Sequence, residues 1–304
     1  MTDEASRKQH VYGGQAVVEG VMMRGRDVWA VAVRRPDGSI HVESHDIRSI
    51  ADRVPVLRAP GLRGVIALGQ ALTIGVRALS ISANEASPEE VQLSSRQMAL
   101  SMILAFVIFV AVFIVGPAIA FRWVGHRIGS GLLVNVFEGL FRIALFLGYL
   151  IVVGRTREIR RVFEYHGAEH KTIAAYEHDE PLVPEAVDRY STLHVRCGTN
   201  FLLIVMVIAI LVFALFGNPG IWWRIGSRVV AIPIIAGLAF EMLRLGARFE
   251  RSALMRALMA PGLWLQKITT RAPTSDQIEV AIASFGEVLR READRPAAGS
   301  GAEV

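Results

Sequence analysis

The sequence predicts an α-helical membrane protein with four transmembrane helices, additional interfacial helices and a small N-terminal cytosolic β unit. Of its 304 residues 52% are hydrophobic, and the mean hydropathy of +0.40 lies above the range of ordinary soluble domains. Four segments are apolar enough to cross a bilayer, and short β-rich runs with turn signals occur near the N-terminus. A lipid bilayer is therefore an expected partner of the chain.

The excess of basic residues fits membrane topology better than nucleic-acid binding. The formal net charge is +5 and the pI is about 9.8. The basic residues cluster beside the apolar stretches, without interleaved aromatic residues or a nucleic-acid-binding motif. Cys197 is the single cysteine, so no intramolecular disulfide can form, and a lone thiol suits the cytoplasmic face. We therefore expect no nucleic-acid partner.

The N-terminal part divides into a flexible N-terminus, residues 1–10, and a cytosolic β unit, residues 11–60. Residues 28–33 and 40–42 are rich in β-forming side chains. Between them Pro36–Ser39 is a tight-turn signal, which predicts a hairpin.

A glycine-rich stretch, residues 13–25, precedes this hairpin. Glycine lets the backbone turn sharply or approach another group closely, which favours a bulged strand with turns. The alternative is functional: the stretch brings Glu19 and Arg24 to a polar site.

Residues 61–84 are predicted to form an interfacial or re-entrant helix. The segment is mostly apolar, with Arg63, Gln70 and Arg77 spaced seven residues apart along one helix stripe. An arginine near the bilayer centre costs about 2.5–3.5 kcal/mol, which disfavours a full span. The alternative is a buried core helix of a soluble domain.

Four further segments are the predicted transmembrane helices, and they are residues 99–121, 132–153, 201–216 and 229–243. The second contains Glu138 and Arg142, which are four residues apart and can form a pair on one helix face instead of meeting lipid. Such a pair is either structural or part of a functional site.

The distribution of arginine and lysine predicts the orientation of these helices. The long connection 154–200 and the segment after the fourth span are rich in basic residues, whereas the other connections are short. By the positive-inside rule the basic segments and both termini face the cytoplasm. Residues 252–291 are predicted to form cytosolic or interfacial helices, and residues 292–304 a disordered tail.

Histidine, glutamate and cysteine residues in the cytosolic connection predict a zinc site. On a helix His166 and His170 of an H-x-x-E-H pattern lie one turn apart, with Glu169 beside them. His194 and Cys197 follow as a second ligand-type pair, H-x-x-C. Four such ligands would close a structural site and leave Glu169 to orient an imidazole. If one ligand points elsewhere, the zinc site is open, and Glu169 is then the candidate catalytic base.

Other interpretations of these residues stay open. The histidines could satisfy helix ends at the head-group interface without any metal. A cysteine nucleophile served by His194 is a further alternative, although no aspartate or asparagine orienter stands out beside the pair. Lys171 and Glu177 extend the polar face, either to hold an anionic head group or peptide carboxylate, or as a solvated helix surface.

Four strings of the sequence resemble the YqhQ family of bacterial inner-membrane proteins: GGQAVVEGVMMRG at 13–25, YHGAEHKTIAAYE at 165–177, HVRCGTNF at 194–201 and PGLWLQKITTRAP at 261–273. The resemblance covers roughly residues 12–290. It implies a multi-pass protein of the bacterial inner membrane, and the family's label of predicted metal-dependent enzyme implies a metal site. The residues that match the family's ligand-type positions are His166, Glu169, His170, His194 and Cys197.

Two functions remain. In the first, the protein is a membrane-bound metal-dependent hydrolase acting on a lipid-linked or membrane-proximal peptide substrate, which needs an open metal position. In the second, it is a non-enzymatic membrane factor that binds another membrane complex, such as the protein-export machinery, and a structural metal merely fixes its fold. The count of three histidines and one cysteine favours the second function, and the family label favours the first. Transport is a weaker choice, because few polar groups lie inside the spans.

Overall fold

The computed structural model describes most of the chain, namely residues 12–47, 61–88, 94–128, 130–194, 197–215, 220–249 and 252–294, with a few single positions between these ranges. The predicted flexible residues 1–10 lie outside the described residues. Of the predicted disordered tail, residues 292–304, residues 295–304 also lie outside the described residues, whereas residues 292 and 293 belong to the last helix.

Four antiparallel strands form the N-terminal β unit, in the order β1-β2-β3-β4. They are β1 (Gly13–Val17), β2 (Gly20–Arg24), β3 (Val28–Arg34) and β4 (Ile40–Asp46). The predicted hairpin is the β3–β4 pair, and Gly38 in its turn has a φ of 86°, which glycine adopts without strain. The glycine-rich stretch forms a second complete hairpin, β1–β2, whose turn passes through Glu19 at a φ of 48°.

Eleven helical elements follow along the described ranges. They are α1 (Leu62–Glu85), α2 (Ser95–Val110), a π-helical turn (Ala111–Val115), α3 (Gly116–Ile128), α4 (Gly131–Val153), α5 (Arg157–Glu177), α6 (Pro184–Val187), α7 (Gly198–Ala214), α8 (Ile221–Arg248), α9 (Ala253–Thr269) and α10 (Ser275–Ala293).

The sheet is the middle layer of a three-layer unit. Its first face packs against α5 and α10, and the core there includes Tyr165 and Phe285, both fully buried. Its second face packs against Ile74 and Ala78 of α1. Because both faces are covered, the apolar run of β3 is buried along almost its whole length, which explains why it lacks the alternation of a half-exposed strand.

Four helical segments within the described ranges are long and apolar enough to cross a membrane, which indicates a membrane protein of the predicted fold class. Three of them coincide with predicted spans: Arg96–Trp123, Gly131–Val153 and Gly226–Gly246. The fourth is α1, which we predicted to be interfacial or re-entrant. The predicted span 201–216 corresponds to α7, an apolar helix of 17 residues.

Helix α1 contacts both a membrane helix and the sheet. At its start the guanidinium of Arg63 donates to both carboxylate oxygens of Glu241 on α8, at 2.7 and 2.5 Å. Further along, the backbone N–H of Val18 donates to the hydroxyl of Ser82 at 3.3 Å. The second half of α1 therefore covers the sheet.

The predicted pair of Glu138 and Arg142 is present inside the apolar helices. Glu138 is fully buried and accepts hydrogen bonds from Arg142 and, at 2.7 Å, from Arg228 of α8. Arg142 also donates to the carbonyl oxygens of Phe113 and Ile114, at 3.0 and 3.3 Å. Both carbonyls belong to the π-helical turn, where the shifted register leaves backbone oxygens open to an external donor.

Candidate metal site

Helix α5 carries the H-x-x-E-H pattern and lies against the segment that joins α9 to α10. The hydroxyl of Thr156 caps the first turn of α5 by accepting the N–H of Ile159 at 3.4 Å. Gly167 permits the close approach, because a Cβ at this position would lie 2.0 Å from the carbonyl oxygen of Arg271. The close packing brings the carbonyl group of Thr269, at the end of α9, next to His166.

Three ligand-type side chains converge on one point. Among the described residues, His166, His170 and Cys197 form a group whose candidate ligand atoms all lie within 4.8 Å of one another. The Nε2 atom of His166 lies 3.2 Å from the sulfur of Cys197. Two residues of α5 and the residue just before α7 thus meet.

Backbone carbonyl groups orient both imidazoles in the same way. Nδ1 of His166 donates to the carbonyl oxygen of Thr269 at 2.8 Å, and Nδ1 of His170 donates to that of Thr192 at 2.5 Å. Since a carbonyl oxygen can only accept, each neutral ring carries its proton on Nδ1 and its lone pair on Nε2. Metal-ligating histidines in proteins are held in this manner.

His170 has an unsatisfied lone pair directed into the cluster. Its Nε2 atom is buried, and no atom of the described residues meets hydrogen-bond geometry with it. Burial lowers the pKa of His170 and so favours its neutral form; the nearby Cys197 opposes this shift, and the neighbouring His166 adds to it. A buried nitrogen acceptor without a partner is costly, and a cation would satisfy it.

Cys197 occupies the N-cap position of α7. Its sulfur accepts the N–H of Thr199 at 3.5 Å and the hydroxyl of Thr199 at 3.3 Å. The N-terminal end of a helix carries partial positive charge, which stabilises negative charge on the sulfur. This position therefore suits a thiolate ligand.

Glu169 is buried between the cluster and the first strand. Its carboxylate accepts the backbone N–H of Gly14, and a Cβ at position 14 would lie 2.9 Å from the glutamate side chain. Burial raises the pKa of Glu169, although the neighbouring His166 and His194 oppose the shift. A carboxyl group with a raised pKa is suited to take up a proton near neutral pH.

His194 does not join the three ligands. Its ring centroid lies 5.6 Å from that of His170, and its Nε2 atom lies 3.5 Å from a carboxylate oxygen of Glu177. The side chain of Gln266 holds the backbone of His194 by two hydrogen bonds of 2.8 Å. Three of the four side chains predicted to be ligands thus lie together, and Glu177 lies beside the fourth, His194.

The remaining candidate residues are distributed as follows. Glu19 forms a two-point ion pair with Arg161 on the surface of the sheet unit. Lys171 donates to the carboxylate of Asp188 at 2.7 Å and to the carbonyl oxygen of the same residue at 2.6 Å. Both are contacts between structural elements. Arg24, in contrast, lies on the wall of the cavity that contains the cluster.

This cavity has a volume of about 1010 Å³. Its polar wall includes the three ligand-type residues, Glu169 and the backbone of β1. Its apolar wall comes from the helices α1, α4, α7, α8 and α9 and includes Leu72, Phe146, Leu150, Leu202 and Phe240. The cluster is therefore reachable from a space that extends between the membrane helices.

Comparisons with known proteins identify the family. A family model described as "Protein of unknown function (DUF1385)" matches residues 59–291. "Uncharacterized protein YqhQ" of Bacillus subtilis (strain 168) is 36% identical over 296 residues, which cover 93% of each chain. The chain belongs to the YqhQ family. The resemblance inferred from the four strings is thereby confirmed. No solved structure matches this YqhQ-family chain.

Sequence reasoning missed several contacts that shape the site in this YqhQ-family protein. The backbone carbonyl groups of Thr192 and Thr269 orient the imidazoles. Every residue has such a group, so the residue type does not show which one will act as an acceptor. Gly14 and Gln266 could have been found, because they lie in the strings 13–25 and 261–273 that carry the resemblance.

Proposed function

We propose that this YqhQ-family protein is a membrane-bound, zinc-dependent hydrolase with its site on the cytoplasmic face of the bacterial inner membrane. One observation carries the proposal: three ligand-type side chains, not four, converge on the wall of a large cavity. Three protein ligands with an open position are the arrangement of catalytic zinc, whereas structural zinc takes four.

The donor set fits zinc. Two imidazole nitrogens and one thiol sulfur suit a borderline-soft divalent ion. The unsatisfied Nε2 of His170 and the carbonyl groups behind both imidazoles give the neutral, oriented ligands that zinc requires. His166, His170 and Cys197 would hold the ion.

Bound zinc would supply a Lewis acid next to the substrate and lower the pKa of water in the site. Glu169 takes the proton of the attacking water and passes it to the leaving group. Its burial and its hydrogen bond from Gly14 keep the carboxylate in one place on the cavity wall. The apolar residues of the wall limit the access of bulk water.

The packing of the sheet supports the predicted topology. β2 and β3 share one core with α5 and α10, so the N-terminal unit, the central segment and the C-terminal helix lie on one side of the membrane. Between the sheet and α5 the chain contains α1, the α2–α3 helix and α4. Because the sheet and α5 lie on the same side, the chain between them must cross the membrane an even number of times. Helix α1 packs against the sheet, so α1 lies at the interface, while α2–α3 and α4 cross.

The same parity applies between α5 and α10. Among the described helices between α5 and α10, α7 and α8 are the ones apolar enough to cross the membrane. The number of crossings must again be even, so the short α7 crosses together with α8. Its 17 residues span about 25 Å, which a slightly thinned bilayer accommodates. A reporter fused after α1 should therefore be cytoplasmic, and one fused after α2–α3 periplasmic. Reversal of the two locations would contradict this topology.

The alternative function is a non-enzymatic membrane factor that binds another membrane complex and uses a structural metal. It requires a fourth protein ligand. His194 is the candidate, since its ring is next to that of His170, but its Nε2 faces Glu177. The ligand count thus separates the two functions experimentally.

The metal test uses purified full-length protein. We expect about one zinc per chain by elemental analysis, with loss in His166→Ala and Cys197→Ser. His178→Ala is the matched control, because His178 lies at the exposed end of the same helix. His194→Ala should retain zinc if the site has three ligands. Absence of zinc in the wild-type protein after supplementation would rule the site out.

The enzyme test separates binding from chemistry. Glu169→Gln keeps the size of the side chain and should retain zinc while failing to complement a deletion strain. Full complementation by this variant would argue against the hydrolase and in favour of the structural alternative.

A further inference from the structure

The cavity combines a polar wall with an apolar wall that continues towards lipid. Leu72 of α1 and Leu202 of α7 line the cavity and are 61% and 45% exposed, and both belong to helices of largely apolar composition. Phe146 and Leu150 of α4 extend the apolar wall inwards. A molecule with an apolar chain could thus enter from the membrane without leaving an apolar environment.

Arg24 stands out on the same wall. Its guanidinium is partly buried and donates to the side-chain oxygen of Gln70 at 2.7 Å. In the part of the chain that the structure describes, it forms no ion pair, whereas Arg34 and Arg35 of the same sheet unit pair with Glu279 and Glu85. Burial lowers the pKa of the Arg24 guanidinium, and no carboxylate opposes this shift.

A half-buried cation that faces only a neutral amide is unfavourable until an anion reaches it. The exposed Arg26, two residues further along, lines the cavity as well. The polar wall therefore carries positive charge beside the apolar wall, and the two are complementary to the two parts of an anionic amphiphile.

We propose that the cavity binds an amphiphile whose phosphate group is held by Arg24 and whose apolar chain lies along Phe146, Leu150 and Leu202. This inference rests on the proposed function, for which such an amphiphile is the substrate class. A cavity of about 1010 Å³ is at the upper end of the range of small-molecule sites, which suits a head group together with part of a chain. A peptide fits this apolar wall less well, because its backbone groups would find no hydrogen-bond partners there.

The binding experiment uses full-length protein in phosphatidylcholine nanodiscs and a fluorescent short-chain phosphatidic acid, followed by anisotropy. We expect saturable binding that unlabelled phosphatidic acid displaces and that added phosphatidylcholine does not. Inorganic phosphate should compete only weakly, because it lacks the chain. Equal displacement by phosphatidylcholine would overturn the role of the anionic group, and equal displacement by inorganic phosphate would overturn that of the chain.

Two variants locate the site. Arg24→Gln should weaken binding at least about tenfold, since it removes a charge-assisted contact. Arg35→Gln removes the same charge from the same sheet unit outside the cavity and should bind as the wild type does. Leu150→Trp, which narrows the apolar end without altering any charge, should weaken phosphatidic acid binding as well. Unchanged binding in Arg24→Gln would refute the proposal. If Arg24→Gln does not fold, unchanged binding in Leu150→Trp would refute it instead.

The same measurement on Glu169→Gln and on chelator-treated wild-type protein separates this inference from the proposed function. Binding in these two samples is expected if the lipid site is independent of the metal. If wild-type protein binds phosphatidic acid but holds no zinc even after supplementation, the lipid site stands and the zinc hydrolase is rejected. Zinc binding without phosphatidic acid binding would reject the lipid site alone.

Discussion

Replacement of Gln266 tests how the loop that carries Cys197 is held. Gln266 is fully buried, its oxygen accepts the N–H of His194 and its nitrogen donates to the His194 carbonyl, both at 2.8 Å. A third, longer bond of 3.3 Å reaches Asn200 in the first turn of α7. One side chain thus contacts both sides of the cysteine: the backbone of His194 before it and the side-chain oxygen of Asn200 after it.

The magnitude follows from the groups that Gln266→Leu would leave without a partner. Each buried backbone group that loses its hydrogen bond costs about 1–3 kcal/mol. Two such groups at His194, offset in part by the apolar gain of leucine, give a net loss of about 2–4 kcal/mol. Gln266→Glu can still accept from the N–H but cannot donate, so it should lose part of this stability.

The assay is thermal unfolding in detergent together with zinc content. Gln266→Leu should lower the melting temperature by about 5–10 °C and reduce zinc occupancy, because the loop that presents Cys197 loosens. Lys267→Leu, a neighbouring exposed position on α9, is the control and should change stability by less than about 0.5 kcal/mol. If Gln266→Leu unfolds at the wild-type temperature with full zinc occupancy, the reasoning about this contact is wrong.

Three further predictions concern packing, buried charge and pH. Gly167→Ala should destabilise the protein by about 1–3 kcal/mol in thermal unfolding, because the new Cβ meets the carbonyl oxygen of Arg271; an unchanged melting temperature would contradict this close approach. Glu138→Gln should cost about 3–5 kcal/mol, since two arginines then lose their carboxylate inside the apolar helices; wild-type yield and stability in detergent would speak against the pair. Burial and the nearby Arg77 lower the pKa of His45, so the unfolded chain takes up this proton first. Stability should therefore fall as the pH drops below about 6.5, less steeply in His45→Gln, and identical pH profiles would refute the assignment.

The membrane helices and the H-x-x-E-H pair could be predicted because their signals are local. An apolar run identifies a span wherever its neighbours lie, and i, i+4 spacing places His166 and His170 on one helix face regardless of tertiary contacts. The approach of Cys197 to this pair followed from chemistry, since ligand-type residues are unusual in so short a connection.

The structure differed from the sequence-based predictions where the result depends on the direction of a side chain or on strand pairing. His194 is three residues from Cys197 and its ring lies beside that of His170, yet its Nε2 atom lies 3.5 Å from a carboxylate oxygen of Glu177, and spacing in the sequence does not show this direction. The sequence of the glycine-rich stretch does not determine the register of β1 against β2, and the pairing of Gly14 with Met23 is known only from the structure. Local hydropathy also cannot count crossings: α1 has the composition of a span, and its contacts with the sheet, which bear on whether it crosses, are visible only in the structure.

The shared core of the sheet, α5 and α10 has a consequence for biogenesis. Its last fully buried residue, Val288, is translated after every other buried residue of this core, and the hydroxyl of Tyr12 donates to the carboxylate of Glu292 at 2.9 Å, so the first strand region and the final helix are in contact. During synthesis the face of the sheet that α10 covers stays exposed until the membrane helices, which precede α10 in the chain, have been made. Nascent chains should thus be vulnerable to aggregation or proteolysis until α10 has been synthesised, and deletion of this helix should lead to degradation of the protein instead of a stable shortened form.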